Sequence, residues 1–201
     1  MLLTCGVGLG YGLRHAFESD HVAAVTNIVV QGRGAHRAAF IGAFWGLGHG
    51  VAVVLGGAVL LALDVAVPRR TAVGLELGVV GMLLFLGIRS LLSRHDETPG
   101  RATRSPLQAG VVGLLHGAAG SSALVLLMLT LAPSRSHAAV FLCTFAVGAT
   151  FSMTLLSGLL AVPLGAAVGR FPHLVTKLRV AAGALSIAAA GVLLFALTRG
   201  G

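Results

Sequence analysis

Near the start of the chain, His15, Glu18, Asp20 and His21 fall together in the run Gly12-Leu13-Arg14-His15-Ala16-Phe17-Glu18-Ser19-Asp20-His21-Val22. Neutral imidazole together with carboxylate is a ligand set for first-row divalent metals. The surrounding sequence is apolar enough for a lipid bilayer, where one charge near the centre costs at least ~2.5–3.5 kcal/mol on insertion scales, so a cluster of ionisable groups reads as a functional site. Two further imidazoles stand in apolar runs: His49 in Gly46-Leu47-Gly48-His49-Gly50 and His116 in Gly113-Leu114-Leu115-His116-Gly117. Arg14 precedes Glu18 by four residues, so a helix would place the two on one face as a neutralising pair. That leaves Glu18 as a supporting group rather than a ligand.

Helical geometry limits how these groups can meet. At about 100° per residue, Glu18 lies near −60° from His15, Asp20 near +140° and His21 near −120°, with His21 ~9 Å further along the axis. An unbroken helix cannot aim all of them at one ion. Either the span is broken between His15 and Asp20, or His15 and His21 serve successive stations of a path. Discontinuous helices at the midplane are a known device for exposing helix ends to a bound ion.

The elements that must position these residues are membrane spans. The chain has 201 residues, 56% of them hydrophobic and 10% charged, with a mean hydropathy of +0.95. Its apolar runs reach bilayer-spanning length. Its net charge of +8 comes mostly from arginines in short connections, which encode membrane orientation, and no aromatic interleaving for base stacking accompanies them. Nucleic acid is therefore not an expected partner.

Apolar length and the charged or Pro/Gly breaks predict six spans in an all-α, polytopic membrane protein. They cover about Leu2 to Val30, Ala38 to Leu63, Thr71 to Leu92, Pro106 to Leu131, Ala138 to Val162 and Leu174 to Thr198. The polar connection 93–105 divides the chain into a first three-helix half, 1–92, and a second, 106–201. The first, third and fifth connections carry nine Lys/Arg, among them Arg33, Arg94, Arg104 and Arg179. The other side carries four, Arg69, Arg70, Arg135 and Arg199. The positive-inside rule then places both termini outside. Gly12-Leu13-Arg14-His15-Ala16 and Gly113-Leu114-Leu115-His116-Gly117 match at an offset of 101 residues (15 to 116), and FWGLGHG in the second span sits opposite FAVGATF in the fifth. Two halves with an odd number of spans each must have opposite orientation, the inverted-repeat plan of secondary transporters.

RHAFESDHVAAVTN resembles the signature of the nickel/cobalt transporter family, in which a membrane helix carries His, four residues, then Asp-His. Gly46-Leu47-Gly48-His49-Gly50-Val51 is similar to the family's second motif. The resemblance implies that His15, Asp20, His21 and His49 bind and select the ion, and it brings Asn27 into the set of pathway or supporting residues with Arg14, Glu18 and His116. Glu18 stands where the family usually has Asp, and LLHGAAGSSALVLL is similar to the shorter, urease-accessory-like membrane proteins of the same superfamily. The expectation is a bacterial inner-membrane carrier of Ni2+ or Co2+ as transported ion. No permanently bound cofactor is expected. Partners are the lipid bilayer and the ion; no ATP-binding loop is present, so an ion gradient or an unseen partner subunit would drive it, and a homo-oligomer stays open.

Two rivals come from other classes. Gly120-Ser121-Ser122 in the fourth span superficially resembles the serine motif of intramembrane rhomboid hydrolases, but the sixth span has no histidine beyond His173 at its edge, and HExxH and GxGD are missing. An enzyme is therefore not expected. A thiol-disulfide electron conduit would need Cys5 and Cys143 to meet, yet they fall at non-equivalent repeat positions. No thiolate lies near the cluster, which argues against Cu(I).

Overall fold

The computed structural model describes residues 1–18, 20–23, 34–63, 69–92, 105–120, 132–170 and 173–199, and within these the chain is all-helical. The helices are α1 (Leu2–His15), α2 (Ala35–Leu63), α3 (Arg69–Leu92), α4 (Pro106–Gly120), α5 (Arg135–Arg170) and α6 (His173–Arg199), with a short helical turn at 20–23. Four of them, α2, α3, α5 and α6, contain stretches long and apolar enough to cross a membrane. Large apolar side chains such as Leu55, Phe151, Leu159 and Phe195 point outward and more than half exposed, as suits a lipid-facing surface.

Local chemistry explains several boundaries. Ser105 precedes Pro106 and caps α4, its Oγ accepting from the Gln108 N–H at 3.3 Å, with proline at the first position where its missing N–H costs nothing. Ser134 caps α5 in the same way through the His137 N–H at 3.3 Å, and its hydroxyl also meets His137 Nδ1 at 2.8 Å. The His137 side chain thus contacts the Ser134 cap. Gly34, at φ 82°, takes the left-handed turn that admits α2. The fifth helix differs from expectation: it passes through Pro163 and runs 36 residues to Arg170 instead of stopping near Val162. Proline removes one N–H from the ladder, and membrane helices tolerate this where neighbours re-satisfy the freed carbonyl.

Small residues let the backbones touch. A side chain at Gly12 would collide with the backbone of Phe145 and Ala149, and one at Gly113 with the backbone of Trp45. These contacts advance in step along each pair: Gly8 meets Phe141 where Gly12 meets Phe145, and Gly113 meets Trp45 where Gly117 meets His49. So α1 runs alongside α5 in the same direction, and α4 alongside α2. Between α2 and α5 the order reverses, Gly42 facing Met153 and Ser157 while Gly50 faces Ala146, so these two are antiparallel. Hydroxyls of α5 then bridge to both neighbours. Thr150 Oγ1 donates to Gly46 O at 2.9 Å, and Ser152 Oγ donates to Leu13 O at 2.8 Å. Membrane hydrogen bonds of this kind contribute ~0.6 kcal/mol each.

The core has two parts. Trp45, Phe145, Met153 and Ala16 belong to a cluster built by α1, α2, α4 and α5, while Val79, Leu83, Ala190 and Ala23 form a second one where α3 packs on α6. The chain therefore crosses from one cluster to the other between Ala16 and Ala23. That crossing carries Glu18, Asp20 and His21, with His15 directly before it.

Candidate metal centre

Helix α1 stops between His15 and Asp20, one of the two arrangements the helical angles allow. α1 ends at His15; the Phe17 N–H reaches back to Arg14 O at 3.0 Å and the Glu18 N–H to His15 O at 3.1 Å, a tight turn, and helix resumes at residue 20. The last carbonyls of a helix lack intrahelical donors. Ser152 supplies one of them, at Leu13 O, so α5 stabilises the broken end. The break brings the His21 ring against His15.

Four imidazoles converge there. His21 lies 4.3 Å from His15, 5.3 Å from His49 and 4.2 Å from His116, measured between ring centroids, and His15 lies 5.1 Å from His49. All four rings are at most 3% exposed. His49 comes from the middle of α2 and His116 from α4, so the site joins three segments distant in sequence. Trp45 packs against His21 and His116 at 5.6 and 5.7 Å, and Phe145 against His15 at 5.1 Å, giving the imidazoles an apolar wall on two sides.

Asp20 holds two of the rings. Its Oδ1 accepts from His21 Nδ1 at 3.1 Å and its Oδ2 from His116 Nε2 at 2.9 Å, across 96 residues of sequence. A carboxylate can only accept, so it fixes the N–H of His21 on Nδ1 and leaves the Nε2 lone pair free. Carboxylate–histidine pairs of this kind orient metal-ligating imidazoles. Glu18 differs from the expected pairing with Arg14. Its Oε2 lies 3.1 Å from His15 Nδ1, because the helix ends at His15 and the four-residue spacing no longer puts Arg14 and Glu18 on one face. Arg14 is exposed, and Asn27 lies outside the described residues, as do Ser121 and Ser122.

Two groups of three ligand atoms result, each with all atoms within 4.8 Å of one another: His15, His21 and His49, and Asp20, His21 and His116. Of the four residues suggested by the sequence, His15, His21 and His49 share the first group, and Asp20 joins them through His21. The repeat in the sequence marks His116 only as a pathway or supporting residue; its contact with Asp20 depends on how α4 packs against α2. Cys5 and Cys143 are free thiols, Cys5 half-buried and Cys143 exposed.

The imidazole nitrogens carry a further constraint. Nε2 of His15, both nitrogens of His49, Nε2 of His21 and Nδ1 of His116 are buried without a hydrogen-bond partner among the described residues, while Nδ1 of His15 faces Glu18. Each unpaired buried polar atom costs ~1–3 kcal/mol. Histidines placed only to join helices would use those atoms on one another or on backbone carbonyls. Each of His15, His21 and His49 thus offers one nitrogen lone pair within the cluster.

The fold and the site define an all-helical membrane protein with a buried cluster of imidazoles and carboxylates at a break in its first helix. The chain is 29% identical over 177 residues to the urease accessory protein UreH of Bacillus sp. (strain TB-90), covering 81% of this chain and 77% of that protein. No family model and no solved structure matches it.

Proposed function

We propose that the protein carries a divalent transition-metal ion, nickel or cobalt, across the membrane, with the ion dehydrated by His15, His21 and His49 and with Asp20 orienting His21. The observation that carries this reading is the convergence of three fully buried imidazoles with unpartnered nitrogens, from two helices and a helix break, within 4.8 Å. Imidazole and carboxylate favour nickel, cobalt and their neighbours, and no sulfur stands in the cluster to select Cu(I). The similarity to a urease accessory protein and the resemblance of the His15–His21 and His49 motifs to nickel/cobalt transporters support the same class of cargo.

The packing supports the inverted-repeat plan. α1 lies along α5 as α4 lies along α2, each held by the equivalent glycine, Gly12 and Gly113, and the two long helices run antiparallel. On this reading six segments serve, with α1 and α4 as short helices lying along α5 and α2 and both termini outside. Glu18, half exposed, and Asp20, one-fifth exposed, give the site polar contact with its rim, while the imidazoles stay dry.

Radiolabelled nickel and cobalt accumulation, compared between cells with and without this chain, tests the reading. Cells expressing it should differ in steady-state content of one of the two ions, and His15→Ala should abolish the difference while leaving the protein in the membrane. Identical content of both ions with and without the chain would overturn it.

A further inference from the structure

We propose that the ion occupies two overlapping stations that share His21: one formed by His15, His21 and His49, the other by Asp20, His21 and His116. The proposal rests on the transport reading above and adds the step by which an ion crosses the middle of the protein.

Geometry separates the stations. Two nitrogens bound to one ion at ~2.0–2.1 Å, the value for zinc–imidazole bonds, lie at most ~4.2 Å apart. Each group of three is compact enough to close on an ion with small rotamer adjustments, but the outer members of one group are not in the other. His21 stands between them, 4.3 Å from His15 on one side and 4.2 Å from His116 on the other, whereas His49 and His116 are 6.1 Å apart. Its two nitrogens serve different sides, with Nδ1 on Asp20 and Nε2 unpartnered. A single ion at the first station also leaves Nδ1 of His116 buried without a partner.

The two stations are built alike. His15 and His116 end the matched segments Gly12 to His15 and Gly113 to His116, and each segment is pressed by its glycine onto a long helix, α5 or α2. Each station has buried imidazoles and one part-exposed carboxylate beside it: Glu18 touches His15, and Asp20 touches His116. An ion could thus be taken from the Glu18 side and passed by His21 to the Asp20 side, or the reverse.

Charge balances during the transfer. In the structure the Nδ1–H of His21 and the Nε2–H of His116 point at Asp20. For the ion to take the nitrogens that face Asp20, their two protons leave through the Asp20 carboxylate, which is one-fifth exposed, to solvent; His21 Nε2, which has by then released the ion, and His116 Nδ1 each take up one proton from solvent, so no net proton is lost. Because His21 belongs to both sets, one ion per chain is bound at a time.

The test separates binding from passage, using the full chain purified in detergent and reconstituted in lipid vesicles, with Ni2+ and Co2+ as probes. His116→Gln keeps a donor for Asp20 and removes the imidazole. It should bind one Ni2+ per chain within about threefold of the parent affinity, yet carry Ni2+ into vesicles at least tenfold more slowly. Parental transport by His116→Gln would overturn the second station, and so would loss of equilibrium binding, which would make His116 part of a single site. A second comparison does not depend on that variant. His49→Ala, crippled at the first station, should retain weakened Co2+ binding with a visible spectrum altered from the parent's, and adding Asp20→Asn should abolish it. Complete loss of binding in His49→Ala alone would also overturn the proposal. Should the parent itself bind neither ion, the transport reading fails, and that outcome is distinct from each of these.

Discussion

His21→Ala should lower equilibrium Ni2+ binding by at least about 100-fold, the largest effect of any single substitution in the chain. Two features set this size. His21 is the member common to both groups of ligand atoms, and it lies at the centre of the cluster with ring contacts to His15, His49 and His116. Its removal also strands Oδ1 of Asp20, leaving one carboxylate oxygen in a largely buried position without its donor. A 100-fold loss corresponds to about 2.7 kcal/mol at ~1.4 kcal/mol per decade. Calorimetric titration of the detergent-purified protein measures it, and size-exclusion chromatography shows whether the variant keeps its fold. His137→Ala is the natural comparison, since that side chain meets the Ser134 cap of α5 and belongs to neither ligand group, and its Ni2+ affinity should equal the parent's. A His21→Ala protein that binds Ni2+ as tightly as the parent would remove the ring from the site.

Asp20→Asn should reduce Ni2+ affinity about 10- to 100-fold, the usual consequence of losing a carboxylate that orients a ligating histidine. The substitution preserves shape and changes two properties. It removes the negative charge that offsets a divalent cation in a low-dielectric setting, where Coulomb terms exceed their value in water. It also frees the tautomer of His21, because an amide can present either an oxygen or an NH2 to Nδ1. With the NH2 facing Nδ1, the proton sits on Nε2 and the lone pair directed at His15 and His49 is lost. The comparison with Glu18→Gln isolates the position from the charge. Glu18 is half exposed and touches only His15, so its effect should be smaller, within a few-fold of the parent. Equal affinity of Asp20→Asn and the parent would detach the carboxylate from the site.

Much of the site is legible in the sequence. The types and spacing of His15, Asp20 and His21 inside an apolar run state the chemistry, and the 100° rotation per residue leaves either a break between His15 and Asp20 or successive stations; the helix ends directly after His15. His49 is legible because glycines flank it at close-packing spacing, and the structure uses Gly46 and Gly50 to seat α2 on α5. What escapes the sequence depends on packing between distant segments. The bond between His116 and Asp20 exists only because Gly113 and Gly117 let α4 lie against Trp45 and His49. Trp45 reads as an ordinary apolar residue, yet it walls two of the imidazoles. The pairing of Arg14 with Glu18 assumed continuous helix past His15, where α1 ends, and Glu18 turns to His15 instead. The end of the fifth span near Val162 assumed that Pro163 stops a helix, a rule from water that weakens inside a membrane protein.

The most direct test of the account is X-ray absorption at the nickel edge on the purified, Ni2+-loaded full chain. The account predicts one ion per chain with a nitrogen and oxygen inner shell and the outer-shell scattering of about three imidazole rings, which His49→Ala reduces by one. A protein that retains no nickel, or a shell containing sulfur from Cys5 or Cys143, or a shell of oxygen alone would contradict it.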